Sequence, residues 1–278
     1  MPELPEVETA RAAIAATALD RLITSVDDTD TYECRPHRPG DIAAALVGRR
    51  LTAVHRRGKA LWCDTSPSAG SSTPGPVLGL HLGMSGRILI TRPDGAVTEG
   101  GDYLGPGRRS AAAEADEHPE WVRFRLGFDD GGSLRLFDKR RLGRVVLDPD
   151  LDRLGPDAQR VHRAAFAARV GAGRAPVKAR LLDQGVIAGV GNLLADETLW
   201  QAGIDPGRRV DRLADDELDR LYDALQAATD AALEHGGVHT GEMIDHRRPG
   251  GRCPRCGHEM VRTTVGGRTT WSCPIEQT

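Results

Sequence analysis

Apolar positions change their period twice along this chain. Val7, Ala10, Ala13 and Ile14 first fall at the spacing of an amphipathic helix. Short apolar and β-branched runs then follow at 51–56, 60–63, 77–82, 87–91, 122–128, 133–137 and 144–147, many of them punctuated by Gly, Pro or Asp. That rhythm predicts an antiparallel sandwich or barrel. Two connections read as solvated loops: 65–76, rich in Ser, Gly and Pro, and 92–120, Gly-rich and then acidic. A turn-rich stretch at 148–157 ends the β region. Beyond it the helical period predicts helices near 158–170, 176–184, 193–202 and 214–235, the last stopped by Gly236-Gly237. The expected fold is α+β and multidomain. An N-terminal β-sandwich with a leading helix spans 1–150, a helical domain spans 158–237, and a β-hairpin spans 247–278.

Composition narrows the class. A chain of 278 residues is long enough for two domains with separate cores, and 39% hydrophobic with 28% charged residues is ordinary for a soluble protein. No apolar run approaches the roughly 20 residues that cross a bilayer. The N-terminus lacks the charged and apolar regions of a signal peptide, so a cytoplasmic location is expected. Five cysteines, three of them crowded near the end, suit a metal site better than a disulfide framework. The net charge of −3 does not point to nucleic acid, but its distribution does. Between Arg247 and Thr270 six arginines (247, 248, 252, 255, 262, 268) face one acid, Glu259. Further basic knots lie at Arg56-Arg57-Gly58-Lys59 and Lys139-Arg140-Arg141 with Arg144, while acids gather at 114–120, 148–157 and 211–223. Such segregation predicts one basic face.

The chemistry begins at the first residues, Met1-Pro2-Glu3-Leu4-Pro5-Glu6. With Met1 removed, which the small Pro2 side chain should permit, the chain starts on a secondary amine in the α-amino range of about 7.7–8.0, partly neutral at pH 7. A neutral amine attacks electrophilic carbon and forms an iminium, and the neighbouring Glu3 can shuttle protons. The same residues also suit a plain helix start, with prolines fixing φ and acids at the positive end of the dipole. Near the other end, Cys253-Pro-Arg-Cys256 and Cys273-Pro-Ile-Glu276 resemble the two knuckles of a tetrahedral zinc site. Glu276 stands at the fourth position, where cysteine is usual, and His258 is another candidate. The alternative is a metal-free hairpin held by Val261, Val265 and Trp271. Gly189-Val190-Gly191-Asn192 precedes a helix whose backbone N–H groups could cradle a phosphate, although capping by Asn192 is the commoner role of such a residue. It lies between two helices joined by two turns, an arrangement that grips the DNA backbone without reading bases. His81-Leu82-Gly83-Met84-Ser85-Gly86 and Asp138-Lys139-Arg140-Arg141-Leu142-Gly143 follow strands and could expose an apolar wedge beside arginines, though a methionine there is more often core.

Taken together, these segments resemble the formamidopyrimidine-DNA glycosylase and endonuclease VIII family of helix–two-turn–helix repair enzymes, its oxidised-purine branch in particular. The resemblance rests on the Pro-Glu-Leu-Pro-Glu start, Arg-x-Gly-Lys at 56–59, His-Leu-Gly-Met-Ser-Gly, Ala-Gly-Val-Gly-Asn with Ala195-Asp196-Glu197, and the terminal hairpin. It implies a helix–two-turn–helix domain, a zinc-ribbon-like hairpin and a bifunctional glycosylase and abasic-site lyase of base excision repair. The implied partner is double-stranded DNA containing a damaged base or abasic site, met by a nucleoid-associated monomer, with no membrane. By position, Pro2 would attack C1′, Glu3 would protonate the sugar ring oxygen, and Glu6 would support it. Lys59, Asn192 and Arg268 would bind the phosphates flanking the lesion, Met84 would fill the gap left by the flipped base, and Arg140, with Arg141 and Leu142 beside it, would face the partner base. Flipping is required because the glycosidic bond is inaccessible within the stack. One structural Zn2+ would be held by Cys253, Cys256 and Cys273, with Glu276 in the fourth place. Three departures mark a divergent member. Leu142 stands where the family has a wedge phenylalanine, and Glu276 replaces the last cysteine. The 238–252 stretch is also short, without the loop that closes over a flipped 8-oxoguanine. Two other readings are a lyase acting mainly on abasic sites or an unusual adduct, and a non-catalytic binder of damaged DNA.

Overall fold

The computed structural model describes residues 2–102 and 109–278. They form two compact units, one of Pro2 with Glu6–Leu151 and one of Glu3–Pro5 with Asp152–Thr278.

The first unit is an antiparallel sandwich. Helix α1 (Leu4–Thr17) leads into β1 (Ile23–Asp27) and the short α2 (Asp41–Leu46), then β2 (Leu51–Arg57), β3 (Ala60–Thr65), β4 (Leu78–His81), β5 (Arg87–Thr91) and β6 (Val97–Gly101). Helix α3 (Ala111–Glu117) precedes β7 (Val122–Phe128), β8 (Ser133–Phe137) and β9 (Arg144–Leu147). One sheet runs in the order β1-β7-β8-β5-β6, the other β2-β3-β4-β9. Alternate side chains of both sheets (Ile88, Ile90, Phe124, Leu126, Leu134 and Leu136 from one, Leu61, Cys63, Leu78, Leu80 and Val145 from the other) share one core with Val7, Ala10, Ala13 and Ile14 of α1. Period-two burial thus gives a two-layer core with the helix packed against it.

The 92–120 loop expectation needs correction. It contains strand β6 and helix α3, and only 103–108 lie outside the described residues. The alanine-rich α3 has strong intrinsic propensity and is capped twice: Ser110 Oγ accepts from Ala113 N–H (3.1 Å), and Glu99 of β6 accepts from Ala111 and Ala112 N–H (3.1 and 2.9 Å). Its Ala111 and Ala115 cover Leu89 and Phe137 on the outer face of the sheet. Elements β1 and α2 are likewise additions to the predicted set. Asp28, buried just after β1, accepts from Gly40, Ile42 and Ala43 N–H and so fixes the start of α2 (2.8–3.2 Å). The seven predicted strands all form, within a residue or two at their ends.

The second unit contains α4 (Arg163–Val170), α5 (Val177–Leu182), α6 (Asn192–Ala202), α7 (Asp215–Glu234) and the hairpin β10 (Val261–Val265) and β11 (Arg268–Ser272). The helix expected from 158 begins only at Arg163, because 157–161 form turns in which Ala158 N–H bonds Ala188 carbonyl (2.9 Å). Between α5 and α6 the chain makes two turns locked by Gln184, whose amide donates to Leu182 and Val190 carbonyls and accepts from Gly189 N–H (2.9–3.0 Å). In the hairpin, Gly266 and Gly267 both adopt left-handed φ (59° and 72°), as a two-residue turn of this hand requires. No helix among the described residues is long and apolar enough to cross a membrane.

One glycine sets how closely α1 packs in the first unit. A Cβ at Gly100 of β6 would lie 2.5 Å from Thr9 carbonyl and 2.6 Å from Ala10 Cα, both rigid backbone. Gly100→Ala is therefore expected to cost about 1–3 kcal/mol through overpacking. Urea unfolding checks this: the midpoint falls, and an unchanged midpoint would show that the strand and helix have room to separate.

Candidate nucleic-acid interface and catalytic residues

In the second unit the centre of the site is a carboxylate on a helix end. Glu3 is buried (1% exposed), and its Oε2 accepts from Gly191 N–H (2.9 Å) and Leu194 N–H (3.1 Å) while Oε1 accepts from Leu193 N–H (2.9 Å). The orphan N–H groups at the start of α6, which together with the helix dipole favour an anion, are thus taken by the protein's own acid. This corrects both sequence readings of the Gly-Val-Gly-Asn turn: it cradles Glu3 rather than a phosphate, and Asn192 lies inside the helix rather than capping it. Leu4 N–H donates to Gly189 carbonyl (3.2 Å), and Leu4 is fully buried in the helical core, so the acid is anchored from both sides. Gly191 has no freedom to be anything else. A Cβ there would lie 2.2 Å from Glu3 Cδ.

Around the same helix lies a buried ion network. Lys178 of α5 is completely buried, with Nζ 2.6 Å from Asp196 Oδ1, 2.8 Å from Thr270 Oγ1 and 3.2 Å from Thr269 carbonyl. Asp196 also pairs with Arg247 Nη2 (2.7 Å). Burial pushes the Lys178 pKa down, and the Asp196 charge and hydrogen bond oppose that shift. Sequence reasoning missed Lys178, whose only signal is a lysine between apolar Val177 and Leu181 on a short helix. Asn192 Nδ2 donates to Thr269 carbonyl (2.9 Å), so Asn192 and Lys178 hold the same carbonyl, one residue beyond Arg268. Arg268 itself is exposed on the hairpin and forms no ion pair among the described residues.

The terminal thiols converge. Cys253, Cys256 and Cys273 have ligand atoms within 4.8 Å of one another, with Cys256 and Cys273 Sγ 3.5 Å apart. Zinc–sulfur bonds of about 2.3 Å imply tetrahedral edges near 3.8 Å, so the three sulfurs fit three corners of such a site. Neither Glu276 nor His258 belongs to the group; the structure assembles the thiols and leaves the expected fourth ligand outside. Gln277 instead braces this end, accepting from Cys273 N–H (2.8 Å) and donating to Ile204 carbonyl (3.1 Å).

The first unit carries the remaining residues. Pro2 and Glu6 are buried there, and Met1 lies outside the described residues. Lys59 sits with Gly58 in the two-residue turn between β2 and β3, where Arg57 pairs with Ala60. Its charge, together with Arg144 and after withdrawal from water, holds the pKa of His81 down. Met84 is half-buried in the β4–β5 turn and belongs to no buried apolar cluster among the described residues, so it is not a core methionine. Leu142 is 40% exposed, and Arg140 is exposed without an ion pair among the described residues. Arg141 differs: it adopts left-handed φ (57°), and its Nε is held by Asp30 (2.9 Å). The two turns are fastened together by buried Asp138. Its Oδ1 accepts from Ser85 hydroxyl (2.7 Å) and Arg140 N–H (3.0 Å), and its Oδ2 from Leu142 and Gly143 N–H (both 2.8 Å). At Gly83 a Cβ would lie 2.4 Å from the Leu142 carbonyl carbon, so the turns are in backbone contact.

Known proteins place this architecture. The model of the formamidopyrimidine-DNA glycosylase N-terminal domain matches residues 1–145, and that of the formamidopyrimidine-DNA glycosylase H2TH domain matches 154–243. The chain is 32% identical to the formamidopyrimidine-DNA glycosylase of Nocardia farcinica over 99% of its own length and 97% of the relative's. It is 34% identical to that of Chloroflexus aggregans over 100% and 98%. Among solved structures it is similar to Lactococcus lactis Fpg (MutM) in complex with N7-benzyl-Fapy-dG DNA, with a TM-score of 0.78, 25% identity and 99% of each chain covered. The same enzyme bound to DNA with an oxidised pyrimidine gives a TM-score of 0.78 at 26% identity, again over 99% of each chain. Together with the sandwich, the two-turn connection and the buried Glu3, these matches establish that the chain belongs to the formamidopyrimidine-DNA glycosylase family.

Proposed function

We propose that this protein is a bifunctional DNA glycosylase and abasic-site lyase of base excision repair, acting on oxidised or ring-opened bases in duplex DNA. The observation that carries the reading is the Glu3 carboxylate, held by three backbone N–H groups one residue from an amine nucleophile. The amine of Pro2, freed of Met1, attacks C1′ and the base departs with the electrons of the glycosidic bond. Glu3 takes up the proton that the amine sheds on bonding C1′ and delivers it to the ring oxygen as the C1′–O bond opens, leaving an iminium. The departing base is protonated from water, and Glu6 supports Glu3. The iminium makes the C2′ proton acidic. Its removal expels the 3′ phosphate, and a second elimination expels the 5′ phosphate. Electrons and protons balance without a redox partner. Lys59, Asn192 and Arg268 bind the flanking phosphates, Met84 enters the gap left by the flipped base, and Arg140 with Arg141 and Leu142 addresses the partner base. In this division of labour the sandwich (1–150) supplies the nucleophile and wedge, the two-turn helices (158–237) the grip, and the hairpin (247–278) the arginine arm. A monomer associated with the nucleoid suffices for all three.

One zinc ion, held by Cys253, Cys256 and Cys273 with a fourth donor from solvent or from Glu276 after movement, would fasten the hairpin. It would supply structure alone; every catalytic step belongs to the Pro2 amine and the side chains of this protein. Metal analysis is then expected to give about one zinc per chain, with Cys256→Ser lowering occupancy and hairpin stability together. Zinc-free protein whose melting is indifferent to a chelator would rule the ion out.

A second reading, a lyase with little 8-oxoguanine activity, is favoured by the 238–252 connection. It is short and tied down: Glu197 accepts from Glu242 and Met243 N–H (3.2 and 3.0 Å), Met243 is fully buried, and Arg247 pairs with Asp196. Borohydride trapping on duplexes carrying 8-oxoguanine, a formamidopyrimidine, an oxidised pyrimidine or an abasic site ranks the two. A covalent adduct is expected with wild type and none with Pro2→Gly; intact binding without any adduct would leave only a damage binder. Glu3→Gln is expected to lower base excision by about 10²–10⁴-fold, the usual contribution of a positioned acid, in single-turnover assays. An unaffected rate would remove Glu3 from the chemistry.

A further inference from the structure

One buried acid in the first unit has no part in this chemistry. Glu33 lies in the turn after β1, completely buried, with neither carboxyl oxygen in hydrogen-bonding geometry with a donor. It sits directly beneath the 138–143 turn. A Cβ at Gly143 would lie 2.6 Å from Glu33 Oε2, and Val145 N–H bonds the Glu33 backbone carbonyl (2.9 Å). The charged and titratable groups around it are Asp138 and Asp30, which oppose its ionisation, and Arg123, which favours it. Cys34, Tyr32, Arg141 and Arg144 complete the surroundings. Asp138 already serves four donors that fasten the Met84 turn to the Arg140–Leu142 turn. Arg123 Nε is engaged with the Asp138 backbone carbonyl (2.9 Å), and its Nη1 lies 3.7 Å from Asp30. Arg141 is bonded to Asp30. Arg123 and Arg141 are thus already committed to Asp138 and Asp30, and Arg144 donates to the Arg35 carbonyl (3.2 Å), so none makes a direct ion pair with Glu33 among the described residues.

We propose that Glu33 is a positioning residue for both base-probing turns. As the neutral acid it lets Asp138 alone hold Ser85 and the 140–143 backbone; as a carboxylate it repels Asp138 and loosens the turns. Grip on DNA across from the lesion therefore falls as Glu33 loses its proton. The inference deepens the glycosylase reading and rests on it. Burial first, then the Asp138 and Asp30 charges, push the Glu33 pKa up to about 8, which places the change in the alkaline range. The folded protein holds a proton here that the unfolded chain releases above the ordinary glutamate range. Stability should accordingly decline as pH rises from about 4.5 through about 8.

The test is equilibrium binding, which avoids confusion with titration of the Pro2 amine. Full-length wild type, Glu33→Gln and Glu33→Met are titrated by fluorescence anisotropy onto a duplex with a tetrahydrofuran abasic analogue and onto an undamaged duplex, from pH 6.5 to 9. If ionised Glu33 is incompatible with the bound turns, wild-type affinity for the abasic duplex falls about tenfold by pH 9 relative to either variant, as linkage requires for a pKa near 8. Thermal melting is expected to show the variants gaining on wild type as pH rises from 5 to 8, a readout independent of DNA. Parallel binding profiles for all three proteins would overturn the role of Glu33 while leaving the glycosylase reading intact. No preference of wild type for the abasic duplex at any pH would overturn both.

Discussion

Three hydrogen bonds from the start of α6 to Glu3 fix the one point in the second unit from which the rest can be understood. A chain terminus is ordinarily mobile, since nothing offsets the entropy of ordering it. Here the first residues are held by a charge-assisted contact that also satisfies an otherwise unpaired helix end. Both partners need each other: without Glu3 the buried N–H groups would be orphaned, and without those groups the buried carboxylate would face only its desolvation penalty. This reciprocity explains why Gly191 must approach so closely, and why Leu4 is sealed in the helical core while α1 proceeds into the sandwich.

Helix α6 carries this logic along its whole length. Its first turn holds Glu3, and Asp196 in its middle gathers Lys178 and Arg247, with Lys178 reaching Thr269 and Thr270 of the hairpin. Glu197 next to it caps the 241–246 segment, and Trp200 donates to Cys253 Sγ (3.4 Å) beneath the stacked Arg255. Buried ions of this kind seldom add net stability over apolar packing, but removing one partner strands the other at a cost of several kcal/mol. Their value is positional. The Arg268 hairpin and the Glu3 carboxylate are referred to the same helix.

How much of this was legible in sequence depended on range. Period-two runs such as 122–128 and 133–137 became strands because alternate residues meet one core, a local pattern with a local consequence. The paired glycines at 266–267 announced their turn for the same reason. Helix α3 was hidden because its caps come from Ser110 and from Glu99 on a strand separated from it in sequence, while its acids resembled a solvated loop. The site divided along the same line. Pro2, Glu3 and the three thiols could be named from motifs, yet the partner of Glu3 lies 188 residues away at Gly191, and no spacing rule reaches that far. Lys178 stayed hidden because a buried lysine is expected only where a paired acid waits, and Asp196 sits on another helix.

The hairpin shows how a cluster of three thiols is braced by its surroundings. Only three thiols converge among the described residues, so a metal held by them alone would organise the last residues less firmly than a full tetrahedral set. The surrounding contacts are arranged to share the task. Trp200, Met243, Met260 and Trp271 form a small apolar core against Cys253 and Cys273. Gln277 links Cys273 N–H to Ile204 carbonyl. Lys178 anchors β11 from beneath, and the Trp271 N–H reaches Asp196 (3.3 Å). Burial of this core and of those bonds fixes Arg268 at the tip of a strand whose inner end is already constrained.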